Sequence, residues 1–173
     1  TCTVTIYVTN ENGKLTASAP LYSDGAVAAF ENRYASSGTY GGLTVSKTLY
    51  GRDMNAGEFE FTIEPKTDSD KPVPDSDKSF SNKGMLNGET DVMTKLQSLQ
   101  FDQNDAGKTY TYVIQETLPE DDDSQTAGIQ KSGVTYDQSV YEAAITVTDD
   151  NIGGVTADTV ITKVKNADGT SAD

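Results

Sequence analysis

"KTYTYVIQE", residues 108–116, decides how this chain folds. Read as a β-strand, it sends Tyr110, Tyr112, Ile114 and Glu116 to one face and Thr109, Thr111, Val113 and Gln115 to the other. Aromatic and β-branched side chains suit such a half-buried pleated surface. The same alternation returns in "CTVTIYVT" (2–9), "LTVSKTL" (43–49), "EFEFTIE" (58–64), "YEAAITVT" (141–148) and "DTVITKV" (158–164). Turn signals separate these runs: "ENGK", "YGRD", "NDAGK", "DDNIGG" and "NADG". Only "ETDVMTKLQSL" (89–99) carries a helical period, enough for one or two turns. The expectation is an all-β chain, an immunoglobulin-like β-sandwich with at most a short helical turn. "PKTDSDKPVPDSDKSFSNKG" (65–84) lacks periodicity and reads as a long exposed loop.

Three strands carry a polar group in the apolar phase. Glu116 follows Tyr112 and Ile114. Lys47 shares a face with Leu43, Val45 and Leu49. In "FENRY" (30–34), taken as a strand, Asn32 lies between Phe30 and Tyr34. Each has an ordinary explanation alone, since a lysine can snorkel, an asparagine can cap a turn and a glutamate can end a strand beside solvent. An amide, an amine and a carboxyl in the same wrong phase make coincidence a weaker account.

Composition narrows the remaining chemistry. The net charge of −14 disfavours nucleic acid and anionic lipid as partners. No apolar run approaches the ~20 residues of a membrane-spanning helix, so membrane insertion is not expected. Any export signal is expected to have been removed or to lie outside this piece. There is no histidine and one cysteine, Cys2. That excludes His-based acid–base catalysis, Cys–His nucleophiles and zinc sites built from His or Cys, and it rules out an intramolecular disulfide. Cys2 reads as a small core residue in a row with Val4, Ile6 and Val8. The acidic stretches "TDSDKPVPDSD" and "DDNIGG" lack the Gly and Glu spacing of an EF-hand loop. No cofactor, no metal and no turnover enzyme are expected.

An internal repeat organises the chain. "TCTVTIYVTNENGKLTA" (1–17) aligns with "VYEAAITVTDDNIGGVTA" (140–157) at an offset of 139 with one inserted residue. Residues 1–34 then read as the last strands of an upstream domain. "ASSGTYGG" (35–42) reads as a linker. Residues 43–173 read as the next sandwich, lacking its final strand.

"LTVSKTLYGRDMNAGEFEFTIEP", "QFDQNDAGKTYTYVIQETLP", "GVTYDQSVYEAAITVTDDN" and "DGAVAAFENRY" together resemble the isopeptide-containing pilin and adhesin domains of Gram-positive surfaces. In that family a first-strand lysine is bonded to a last-strand asparagine, and a middle-strand glutamate promotes the reaction. The matching positions are Lys47, Asn32 and Glu116. One departure is that the asparagine here precedes the lysine, because it belongs to the upstream copy. The chemistry suits the residue types. Burial disfavours an ammonium and a carboxylate, leaving an amine that can attack and an acid that can polarise the amide. Aligned groups reach effective molarities of ~10⁵–10⁸ M. The event happens once per domain. By loop-entropy reasoning, closing ~100 residues with such a bond is worth ~4–5 kcal/mol, and an amide cannot be reduced.

The resemblance implies a structural subunit or stalk repeat of an extracellular pilus or cell-wall adhesin. Its partners would be adjacent repeats or neighbouring copies, joined head to tail by strand donation. The alternative is an adhesin module that recognises a host glycan or matrix protein through residues 65–84 or its tyrosines. Asn32 could meet Lys47 within one chain, Lys47 of another copy, or a lysine of an upstream domain.

Overall fold

A computed structural model describes residues 3–22, 30–121 and 128–172. The chain divides into two compact units, Thr1–Tyr34 and Ala35–Asp173. In the first unit, β1 (Val4–Thr5), β2 (Val8–Glu11), β3 (Lys14–Ala17) and β4 (Leu21–Tyr22) form two-stranded antiparallel ladders, β1 with β4 and β2 with β3. The second unit begins with β5 (Ser37–Thr39), β6 (Leu43–Thr48) and β7 (Glu60–Pro65). A helical turn α1 (Asp75–Lys78) leads into β8 (Ser79–Ser81), β9 (Thr90–Lys95) and β10 (Gln100–Asp102). After a 3-10 turn come β11 (Thr109–Glu116), β12 (Gln130–Lys131), β13 (Val134–Thr135), β14 (Val140–Asp149) and β15 (Val155–Lys165).

The all-β expectation holds. Five antiparallel strands in the order β15-β14-β11-β7-β8 make one sheet of the second unit, and the ladders β6-β9 and β5-β10 contribute the remaining long pairings. Alternation places the core. Tyr110, Tyr112 and Ile114 of β11 are buried with Ile63, Ala143, Ile145 and Val147, and Leu43, Met93, Leu96 and Phe101 pack into the same cluster. Phe101 stacks on Tyr110 at a centroid distance of 5.7 Å. Such a core, between the alternating inward rows of β7, β9, β11 and β14, is a sandwich.

Four local expectations are corrected. Residues 90–95 form β9, not a helical turn, because pairing with β6 turns Asp91 and Met93 inward at strand spacing. The helical turn lies instead at Asp75–Lys78, inside the stretch read as an exposed loop. That stretch also buries Val73, Phe80 and Asn82, and Lys71 reaches Asp105 at 2.7 Å. The supposed linker 35–42 belongs to the second unit. Ser36 and Tyr40 are buried, β5 pairs with β10, and the Tyr40 hydroxyl meets that of Thr159 at 2.5 Å. Gly38 supplies no flexibility there; a Cβ on it would collide with the Val155 carbonyl oxygen, so glycine permits the close approach of two backbones. Finally, "FENRY" lies outside any strand, with Phe30 and Tyr34 exposed. Among the described residues the first unit has only two-stranded ladders, and alternation alone makes no strand without a partner edge. Cys2 lies outside the described residues, and its proposed row-mates Val4, Ile6 and Val8 are exposed.

Candidate functional site

Lys47 and Glu116 come from different ladders and meet in the second unit. On β6, Leu43 and Val45 lead inward, with Thr44 and Ser46 outward, and the same alternation carries Lys47 toward the core. On β11 the inward row Tyr110, Tyr112, Ile114 ends in Glu116. The Lys47 Nζ lies 2.7 Å from Glu116 Oε2, and the two side chains are only 12% and 5% exposed. Nζ also sits 4.1 Å from the centroid of the buried Phe59 ring, a cation–π distance. Neither side chain reaches solvent freely, so snorkelling and strand-end solvation do not account for them.

The carboxyl is unevenly satisfied. Oε2 accepts from Lys47, while Oε1 is buried without a hydrogen-bond partner. Burial pushes the Glu116 carboxyl above the ordinary glutamate range. Lys47 opposes the rise and the nearby Asp137 adds to it. A carboxyl held toward its protonated form, with one oxygen unpaired, can donate to an incoming carbonyl.

A cavity of about 110 Å³ opens at this pair, lined by Val45, Lys47, Ile114, Glu116, Asp137 and Ser139 among others. It exceeds the ~10–15 Å³ that one water needs. A side-chain amide is of the right order. Lys47 and Asp137 also line a wider hollow of about 800 Å³. A third, more apolar hollow of about 260 Å³ shares Val45, Ser46, Ile114 and Tyr141 with the first and extends to Leu43 and Ile161. Among the described residues β6 pairs only with β9, so its other edge presents unpaired backbone groups along this groove.

Asn32 lies in the first unit, exposed and outside any strand, and no asparagine lines the cavity among the described residues. Within the second unit the geometry brings together Lys47 and Glu116. It adds Asp137 and Ser139, which sequence reasoning missed. Ser139 is buried and in phase with Tyr141, Ala143, Ile145 and Val147, the same signal of a polar group in an apolar row. Its position just before β14 hid that signal among turn-like residues.

Chemically the arrangement holds an amine against a carboxyl inside an apolar wall, beside room for one small polar group. Among the described residues no cluster of His, Cys, Asp and Glu is arranged to hold a metal ion. A family model described as "FctA: Spy0128-like isopeptide containing domain" matches residues 43–171. No curated protein and no solved structure matches the chain.

Proposed function

We propose, for a chain that belongs to the FctA family of Spy0128-like isopeptide-containing domains, that Lys47 forms an isopeptide bond with an asparagine promoted by Glu116. Membership of this pilin family supports a role as a structural element of a surface filament. The observation that carries the residue assignment is the buried 2.7 Å contact of Lys47 with Glu116 beside a cavity of side-chain size. Lys47 Nζ attacks the asparagine Cγ while Glu116 donates to the carbonyl oxygen. The C–N bond of the amide then breaks and ammonia leaves, with Glu116 carrying the proton from amine to leaving group.

The open edge of β6 and the groove beside it support delivery of that asparagine on an added strand. Asn32 of a neighbouring copy is the donor we favour. Its flanking Phe30 and Tyr34 are exposed and in phase with it, and residues 4–22 of the same unit already pair among themselves. Repeated donation joins copies head to tail.

Intact mass and denaturing electrophoresis test this reading. Each bond removes one ammonia, ~17 Da, as a covalent self-reaction requires. Donation between copies gives a ladder resistant to boiling in detergent. Closure within one chain gives a monomer lighter by one ammonia. A monomer of unaltered mass, unreactive also toward an added peptide of residues 24–34, removes the reading. Replacing Glu116→Ala should abolish the mass loss while the fold persists. The rate should fall as pH rises through the elevated Glu116 value, because the acid form is then lost.

A binding-module reading gains nothing from residues 65–84. Val73 and Phe80 of that stretch are core residues, so deleting it would unfold the sandwich rather than remove a ligand surface.

A further inference from the structure

Two buried oxygen atoms in the cavity lack hydrogen-bond partners: Glu116 Oε1 and Ser139 Oγ. Ser139 is only 6% exposed, and an unpaired buried hydroxyl costs free energy unless a partner arrives. Its backbone N–H donates to Asp137 Oδ1 at 2.8 Å, which fixes that carboxylate close by. Partial burial would raise Asp137, but the Ser139 hydroxyl, the Ser139 N–H and Lys47 together hold it below the ordinary range. The hydroxyl thus feels the carboxylate without completing a hydrogen bond to it.

A hydroxyl has one proton and two lone pairs, and a carboxylate can only accept. With Asp137 on one side, the favourable direction for the Ser139 proton is toward Asp137. Its lone pairs are then left to the cavity. The site consequently offers two unlike ends: a carboxylic acid that donates at Glu116 and an acceptor at Ser139. A side-chain amide matches both, carbonyl oxygen to Glu116 and NH₂ to Ser139. An aspartate carboxylate would set an acceptor against an acceptor.

Building on the isopeptide reading, we propose that Ser139, oriented by Asp137, is a positioning residue that accepts from the amide nitrogen of the incoming asparagine and makes the site selective for asparagine over aspartate. The bond formed is Lys47 Nζ to Cγ in either case. Asparagine loses its amide nitrogen as ammonia, and aspartate would lose a carboxyl oxygen as water.

The test uses the full chain with Asn32→Ala, so that its own segment cannot react, and two synthetic peptides of residues 24–34 with asparagine or aspartate at position 32. Intact mass over time gives the two linkage rates. The parent should favour asparagine by about tenfold, what one neutral hydrogen bond supplies. Ser139→Ala should bring the ratio near one, and Ser139→Thr should restore it. Asp137→Asn, which removes the charge that orients the hydroxyl, should also lower the ratio. Retained preference in both Ser139→Ala and Asp137→Asn, with asparagine linkage still proceeding, overturns the proposal. A parent that links neither peptide removes the isopeptide reading itself, and this inference with it.

Discussion

The hairpin of residues 4–17 and its counterpart at 143–157 are nearly the same sequence pattern in opposite surroundings. Val4, Ile6, Val8 and Leu15 align with Ala143, Ile145, Val147 and Val155. The first set is 47–69% exposed and the second 0–8%. The turns agree. Asn12 and Gly13 have φ of 55° and 83°, and Asn151 and Gly153 have 62° and 111°. Asn10 accepts from the Gly13 N–H as Asp149 accepts from the Asn151 N–H. Local chemistry makes the same hairpin twice. Within the second unit, β14 and β15 extend a five-stranded sheet whose inward rows share a core with Leu43 of β6 and Met93 of β9. Alternation states which face is meant for a core, and the core exists only where a second face meets it.

The sharpest way to break this comparison is to truncate the aligned isoleucines. Ile145→Ala should cost about 2–5 kcal/mol, the range for a fully buried aliphatic side chain. Ile6→Ala should stay within about 0.5 kcal/mol, as surface substitutions do. Denaturant unfolding of the two variants measures both, and equal losses would mean that the first hairpin is buried in solution.

Gly38→Ala comes next. The added methyl meets the Val155 backbone, which cannot move as a flexible side chain would, and a loss of about 1–3 kcal/mol is expected. An unchanged unfolding midpoint would restore residues 35–42 to the linker role that their composition suggested.

The pH dependence of stability should also belong to the second unit. Asp105 is buried; desolvation alone would raise it, but Lys71, Tyr110 and the Asp102 N–H hold its carboxyl below the ordinary range. A depressed carboxyl stabilises the fold above its unfolded value, about 3.9, and loses that contribution as pH falls through the lower folded value. The melting temperature should therefore drop on acidification below about pH 4, and the Asp105→Asn variant should show a flatter profile there. Identical acid profiles would remove Asp105 from this role.

The smallest effect is expected in the first unit. Arg33 and Glu31 pair at 2.9 Å with both side chains largely exposed, and such pairs contribute little that can be measured. Glu31→Ala should leave the melting temperature within experimental error. A clear drop would show that this segment is packed against something.

Lys47 and Glu116 were legible because strand phase is a strict period of two, and a charged group in an apolar row stands out against it. Ser139 obeyed the same rule but sat just before its strand, where serine reads as a turn residue. Residues 90–95 misled because "ETDVMTKLQSL" satisfies a helical period while its Val, Met and Thr also suit a strand, and short segments take the state of the neighbour they pair with. Residues 35–42 misled because Gly and Ser mark both flexibility and close packing, and only the neighbouring Val155 backbone distinguishes the two.

Sequence alone determined the hairpins, the inward rows and the identity of the amine and carboxyl that face the core. These follow from side-chain alternation and turn chemistry, which act over a few residues. Tertiary structure decided which rows are buried, that β6 pairs only with β9 among the described residues, and that Lys47 lies 2.7 Å from a carboxyl 69 residues away. It also brought Ser139 and Asp137 to the same cavity. No local preference encodes these, because distances between strands are set by how two layers exclude water from a shared interior.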